Sequence, residues 1–154
     1  MKKPTLIFLT ILFCFTSNVA WSADFQKGLT AYNSGDFATA LREWTPLAEM
    51  GHLGVQNMLG QMYRSGEGVP QDYNTAVRWF TRAAEEGFVA AQDNLGFMYK
   101  NGFGVPQNHN TAVKWYTLAA EQGHARSQYN MGFMYNHGLG VAKNHQTALK
   151  WYRL

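Results

Sequence analysis

Apolar residues recur along the chain with the spacing of amphipathic helices. Between residues 73 and 84 they fall at i, i+3, i+4, i+7 and i+11 and so share one helix face: Tyr73, Ala76, Val77, Phe80 and Ala84. A second apolar pattern, between Val55 and Arg64, predicts another helix immediately upstream. Gly66 can end this first helix in a left-handed turn, and Asp72 is a suitable N-cap for the second. The pattern therefore predicts two helices joined by a glycine-rich loop.

This helix pair is one unit of an internal repeat of 36 residues. Residues 52–87 and 88–123 are identical at 20 of 36 positions, and residues 88–118 and 124–154 at 17 of 31. One helix pair cannot bury apolar residues on both of its faces, whereas stacked pairs can. The sequence thus predicts repeats over 52–87 and 88–123 and an incomplete repeat over 124–154. Residues 23–51 hold a degenerate version, as expected of a capping helix pair.

A glycine stands inside the first helix of every repeat, at Gly60, Gly96 and Gly132. Glycine within a helix costs about 1 kcal/mol relative to alanine, so its recurrence predicts that two helices approach closely there. We expect the approaching group to be the Trp79-type ring of the neighbouring helix.

Between Ala90 and Gly123 the chain reads AAQDNLGFMYKNGFGVPQNHNTAVKWYTLAAEQG. This segment resembles the Sel1-like repeat, a relative of the tetratricopeptide repeat, and the resemblance covers nearly all of the chain after residue 22. It implies an all-α fold, a right-handed α-solenoid of stacked antiparallel helix pairs whose first helices line the concave side. It also implies a non-enzymatic scaffold that binds a protein or peptide.

Some cysteine-rich relatives of this family are associated with β-lactam binding or hydrolysis and carry a disulfide in each repeat. Cys14 is the single cysteine of this chain, so the resemblance does not extend to that activity. A cell-envelope hydrolase acting on cell-wall material or β-lactams is the alternative function.

Composition and charge narrow the functional classes. Apolar residues make up 46% of the chain and charged residues 15%, which allows a buried core and argues against disorder. The net charge of +3 includes Lys2 and Lys3, so removal of an N-terminal signal leaves about +1. Because a near-neutral protein lacks the basic field that attracts nucleic acid, we predict no nucleic-acid partner.

The N-terminus has the pattern of a secretory signal peptide. Lys2 and Lys3 precede a short apolar run from Leu6 to Phe15, and Ala20 and Ser22 supply the small residues of a cleavage site. We predict a signal peptide over 1–22, cleavage after Ser22, and a periplasmic or secreted protein without stable membrane insertion. An uncleaved anchor is the alternative, although the apolar run is shorter than the roughly 20 residues that span a bilayer.

The sequence holds no motif typical of catalysis or metal binding. It contains no GxSxG, SxxK, HxxxH or HExxH spacing. The loop from Gly102 to Gln107 lacks the Lys-Ser/Thr ending of a phosphate-binding loop. We therefore predict no catalytic residue, no metal site and no cofactor.

Candidate binding residues come from positions of the first helix that differ between repeats and that we expect on its open face. They are Asn57/Asp93/Tyr129, Met58/Asn94/Asn130, Gln61/Phe97/Phe133 and Arg64/Lys100/Asn136. From these we predict a concave binding face with Phe97 and Phe133 side by side in a groove. The candidate site residues are Asn94, Phe97, Lys100, Tyr129, Asn130 and Phe133. Alternatively, Phe97 and Phe133 simply pack between neighbouring first helices.

The last repeat stops at Leu154, before the AAxxG that ends the preceding repeats. This predicts either a truncated reading frame or an open apolar end that docks onto a partner or a second copy of the chain. The sequence leaves both interpretations open.

Overall fold

The computed structural model describes residues 24–154, and the predicted signal peptide and its cleavage site lie outside them. Within this range the chain forms eight helices and no strand. They are α1 (24–33), α2 (Phe37–Glu49), α3 (Leu53–Ser65), α4 (Tyr73–Glu85), α5 (Val89–Asn101), α6 (His109–Glu121), α7 (Ala125–His137) and α8 (His145–Tyr152). From α2 to α8 each helix packs on the next one along the chain, so the helices form an α-solenoid of stacked antiparallel pairs.

The predicted helix signals are confirmed. Gly66 ends α3 with φ +77°, a conformation that glycine adopts without steric cost. The carboxylate of Asp72 caps α4 by accepting hydrogen bonds from the backbone N–H groups of Asn74 and Thr75. In the next two repeats Asn108 and Asn144 cap α6 and α8 in the same way, since an amide oxygen also accepts from these otherwise unpaired N–H groups.

The helix-internal glycines do mark close approach, but the ring in contact is not the predicted one. A Cβ on Gly60 would lie 2.5 Å from the Phe80 ring, and one on Gly96 would lie 2.7 Å from the Tyr116 ring. Trp79 instead packs against the hydrophobic cluster formed by residues of α1, α2 and α3. Consecutive residues of a helix point about 100° apart, so the residue after the tryptophan is the one that faces the glycine.

A recurring glutamine ties each first helix to the end of the helix before it. The side-chain amides of Gln56, Gln92 and Gln128 donate to the carbonyl oxygens of Ala48, Ala84 and Ala120, at 2.8, 3.2 and 3.2 Å. The last carbonyls of a helix have no partner within the helix, and these amides supply one. The glutamine therefore recurs for a structural reason, at the junction between successive pairs.

None of the helices within residues 24–154 is long and apolar enough to cross a bilayer.

Candidate functional site

The helices α3, α5 and α7 lie at corresponding positions of successive repeats, and together they form what we call the first-helix face. The side chains at the centre of this face are polar, but they are buried from solvent. Asn57, Asp93 and Asn94 are only 6%, 0% and 2% exposed, so the prediction that these positions lie on an open face is wrong. They are buried because side chains of adjacent first helices hydrogen-bond across the gap between them.

Asp93 of α5 is the main acceptor of this polar centre. Its Oδ1 accepts from the hydroxyl of Ser127 at 2.5 Å and lies 3.5 Å from the amide nitrogen of Asn130. Its Oδ2 accepts from Nε of Arg126 at 2.5 Å, and the Nη2 of Arg126 contacts the same oxygen. A buried carboxylate is tolerated only when it is paired and hydrogen-bonded, and here the partners come from α7.

Asn94 continues the network in the other direction. Its amide nitrogen donates to Oδ1 of Asn57 at 2.8 Å, and its own Oδ1 accepts from Arg64 at 3.2 Å and Arg126 at 3.0 Å. Asn94 was expected to contact a ligand. Because it is buried and its hydrogen-bonding capacity is used internally, it holds α3, α5 and α7 together instead.

Asp93, His124 and Ser127 lie close together, but their hydrogen bonds do not have the order of a nucleophilic triad. In such a triad the histidine stands between the hydroxyl and the carboxylate. Here the Ser127 hydroxyl donates directly to Asp93, while Nδ1 of His124 faces Ser127 at 3.0 Å and Asp93 at 3.7 Å. The cluster therefore connects α5 to α7. Within residues 24–154 no three His, Cys, Asp or Glu residues are grouped so that they could hold a metal ion.

Beside this network the first-helix face opens into a cavity of about 610 Å³, which we call the Asp93 cavity. Four of the six predicted site residues line it: Phe97, Lys100, Tyr129 and Asn130. Five further residues complete the wall: Arg64, Tyr73, Asp93, Phe103 and Arg126. The structure thus brings part of the predicted site together and joins it to side chains from α3, α4 and the loop after α5.

One side of the cavity is aromatic. The rings of Tyr73 and Phe103 stack with centroids 4.8 Å apart, and the ring of Phe97 lies 5.8 Å from Phe103. Tyr129, which is 62% exposed, also lines the cavity. These rings offer apolar surface to a ligand, and Tyr129 also presents a hydroxyl.

Phe133 does not lie where we expected. Its ring contacts His137 at 4.3 Å and carries Nζ of Lys100 above it at 5.0 Å, and among the described residues it forms no ring pair with Phe97. Both phenylalanines are half-buried against hydrophobic clusters. The predicted side-by-side pair is wrong. The alternative, packing between neighbouring first helices, describes Phe133, which lies against Lys100 of α5 and His137 of α7, whereas Phe97 also lines the cavity.

Burial shifts the pKa of two groups near the cavity. Desolvation, and then the charge of Arg126, lower the pKa of Arg64. Desolvation, and then the charge of Asp93, raise the pKa of Tyr116. The hydroxyl of Tyr116 is buried without a hydrogen-bond partner among the described residues. The neutral phenol is therefore favoured next to the Asp93 network.

Sequence comparison between repeats could have found some of the missed residues. Arg126 occupies the position of Gly54 and Ala90, where the other repeats have small residues. Phe103 occupies the position of Glu67 and Leu139. Variation at these positions is visible in the sequence, but only the folded chain shows that they meet at one cavity.

Comparison with known proteins agrees with this architecture. The family model of the Sel1 repeat matches residues 55–88, 89–124 and 125–154. A solved Sel1 repeat protein from Oxalobacter formigenes is 38% identical, with a TM-score of 0.78 over 83% of this chain and 53% of its own. A solved protective antigen present in uropathogenic Escherichia coli strains, which displays an SLR fold, is also 38% identical. Its TM-score is 0.84, over 94% of this chain and 32% of its own.

This chain thus spans about half the length of the first of these proteins and about a third of the second. No curated protein matches it significantly. With three repeat matches over most of its length, the chain belongs to the Sel1 repeat family.

Proposed function

We propose that this protein is an exported, non-enzymatic scaffold that binds an extended peptide segment of a partner protein on the concave face formed by α3, α5 and α7. The observation that carries the proposal is the Asp93 cavity, about 610 Å³ in volume and lined from three successive repeats. Concave sites with aromatic walls and a few oriented polar groups are typical of ligand recognition. Export rests on the signal-like pattern of residues 1–22.

The rigidity of the surface supports binding. The first helices are held in register by hydrogen bonds from Asn57 through Asn94 and Asp93 to Ser127. A preorganised surface loses less conformational entropy when a ligand binds. Peptides in grooves gain affinity from pockets for their side chains, and the Asp93 cavity provides such a pocket beside a rigid wall.

Site-specific photo-crosslinking tests this proposal. A photo-reactive phenylalanine analogue is placed at Tyr129, which is 62% exposed at the cavity, or at Leu118, which is 44% exposed on α6. Both proteins are expressed from the complete chain and irradiated in the envelope fraction of the source cells. We expect discrete protein adducts from position 129, absent from position 118 and reduced by Phe97→Ala, whose folding is checked by circular dichroism. Equal adducts at both positions, or none at 129, would contradict the proposal.

The alternative function, an envelope hydrolase, is tested on the same preparation. Incubation with peptidoglycan fragments or a β-lactam is followed by chromatography of the substrate. The scaffold proposal expects the substrate to persist. Turnover that is abolished by His124→Ala, with folding unchanged, would favour the hydrolase instead.

A further inference from the structure

The charges around the Asp93 cavity are not balanced. Arg64, Lys100 and Arg126 line it, and among residues 24–154 Asp93 is the one acid that does so. Arg126 pairs with Asp93. Among residues 24–154 no carboxylate lies within 4.0 Å of the charged nitrogens of Arg64 or Lys100. Neither Arg64 nor Lys100 therefore has a directly paired carboxylate in this range, although the charges of Glu67 and Asp93 act on Arg64 from further away.

Arg64 is held in place with donors to spare. Its guanidinium donates one hydrogen bond, to Asn94 at 3.2 Å, and lies 6.0 Å from the Phe80 ring and 5.8 Å from the Phe97 ring. A guanidinium has five N–H donors. A half-buried cation without a direct ion pair has lost water without full compensation, and a bound anion would supply that compensation. The anion that fits its planar fork best is a carboxylate or a phosphate.

Lys100 is a second cation without an ion-pair partner among the described residues, and it lies in the next repeat. It lies 36 residues after Arg64, at the same position of the next repeat. Its Nζ lies 5.0 Å from the centre of the Phe133 ring, so a ring face orients it as well. The two cations therefore follow the stacking direction of the solenoid, one on α3 and one on α5.

From this arrangement we propose that the Asp93 cavity binds an extended acidic peptide, with one carboxylate at Arg64 and a second at Lys100. The inference rests on the proposed function and specifies the chemistry of the partner. The stacked rings of Tyr73 and Phe103 favour a peptide over a polyphosphate chain, because they offer apolar surface next to the cations. Nucleic acid would need phosphate contacts over many more cations.

The usual spacing of packed helices gives an estimate of how far apart the acidic residues should be. Packed helices lie roughly 8–10 Å apart, and an extended chain in the polyproline-II conformation advances about 3.1 Å per residue and returns to the same face every third residue. Acidic side chains about three residues apart would therefore reach both Arg64 and Lys100. The residues between them would place an apolar side chain against Phe97 and Phe103.

A designed probe tests the proposal. A fluorescein-labelled peptide of repeating Glu-Ser-Phe is compared with the matched Gln-Ser-Phe peptide by fluorescence anisotropy, using the complete protein after processing. We expect the Glu peptide to bind about tenfold or more tightly than the Gln peptide, since charge-assisted bonds to Arg and Lys are roughly twice as strong as neutral ones. Lys100→Gln and Arg64→Gln should each remove most of this difference. The control Lys114→Gln deletes an exposed charge on α6 and should leave it unchanged.

Arg64→Gln also removes packing from between two rings, so Arg64→Lys serves as a second variant that keeps the charge, and circular dichroism checks the helix content of all variants. Equal affinity for the two peptides would overturn the proposal. An equal loss with Lys114→Gln, or tighter binding of a single-stranded oligonucleotide than of the Glu peptide, would also overturn it. If Tyr129 still cross-links a protein in these cases, the scaffold proposal stands and only the acidic-peptide inference fails.

Discussion

Gly96 of α5 lies so close to Tyr116 of α6 that a Cβ on the glycine would be 2.7 Å from Cδ1 of the ring. Cβ contacts below 3.0 Å are essentially never found, and Tyr116 is completely buried. The ring cannot move outward without opening the core. These two helices can therefore pack at this distance only because residue 96 has no side chain.

We expect Gly96→Ala to lower the free energy of unfolding by about 1–3 kcal/mol, the usual cost of overpacking a core. The matched control is Gly54→Ala in α3, where a Cβ would lie 3.5 Å from the nearest atom, in ordinary contact. Alanine should stabilise that helix by up to about 1 kcal/mol. Urea unfolding followed by circular dichroism measures both. If the two variants proved equally stable, the steric explanation of the recurring glycine would be wrong.

The hydroxyl of Tyr116 leads to a second prediction. It is buried without a partner among the described residues, and burial, followed by the charge of Asp93, raises its pKa. The equivalent residue of the preceding repeat is Phe80, so a ring without the hydroxyl fits this position. We expect Tyr116→Phe to be neutral or stabilising at pH 7, by up to about 1 kcal/mol, because an unpaired buried hydroxyl is removed.

The same substitution should change the response to alkaline pH. A group whose pKa is higher in the folded protein contributes stability below its unfolded pKa, about 10 for tyrosine, and this stability is lost as the pH rises above that value. The wild type should therefore lose more stability than Tyr116→Phe between pH 9 and 11. Urea midpoints at these two pH values measure the difference. Parallel losses in the two proteins would mean that Tyr116 ionises in the folded state as readily as in the unfolded state.

Much of the fold could be predicted because its signals are local. The left-handed turn at Gly66 and the cap at Asp72 depend on a few neighbouring residues, and the repeat period carries them through the chain. The contact of Gly60 with Phe80, and not with Trp79, depends on how α4 is rotated about its axis. That rotation is set by packing over several turns, which a pattern of apolar positions does not specify to within one residue.

The candidate site was predictable only in part, for a different physical reason. Variation between repeats identified Phe97, Lys100 and Asn94 alike, yet Asn94 is buried. A polar residue that differs between repeats can serve a ligand or an internal hydrogen-bond network, and both give the same sequence signal. Variation also marked Arg64, but only the three-dimensional arrangement shows that Arg64 and Phe103 meet the residues of α5 at one cavity.

A third prediction concerns the ion pair between Asp93 and Arg126. Asp93 is 0% exposed, whereas the side chain of Arg126 is 58% exposed, so the two single variants leave different groups behind. We expect Asp93→Ala to cost about 2–4 kcal/mol, because it removes the buried acceptor that Ser127 and Arg126 share. Arg126→Ala should cost at least as much, because it leaves the buried carboxylate of Asp93 without its charged partner.

A double-mutant cycle separates the pair from the rest of the network. The double variant should be less destabilised than the sum of the single variants by about 1 kcal/mol or more. Arg42→Ala, which removes a partner from the exposed pair with Glu43, is the control and should have a much smaller effect. Strict additivity at Asp93 and Arg126 would show that their contact contributes nothing to stability.

The last prediction concerns the N-cap of the second helix of each repeat, which is an aspartate at residue 72 and an asparagine in the next two repeats. Hydrogen bonds, first from the Thr75 side chain and then from its backbone N–H, lower the pKa of Asp72 below its ordinary value of 3.8. A group whose pKa is lowered in the folded protein contributes stability above its unfolded pKa, and this stability is lost as the pH falls through the folded pKa.

Asp72→Asn gives α4 the cap that α6 and α8 already have in Asn108 and Asn144. It should therefore behave like the wild type at pH 7 apart from the small loss of a carboxylate at a helix N-terminus. Below about pH 4 the variant should lose less stability than the wild type, whose cap becomes protonated. Thermal unfolding between pH 2 and 7 measures the stability curves of the wild type and the variant. The pKa of Asp36 is also lowered, at the cap of α2, but Asp36 is present in both proteins and so does not contribute to the difference between them. Curves that run parallel through this range would show that the charge of Asp72 has no part in capping α4.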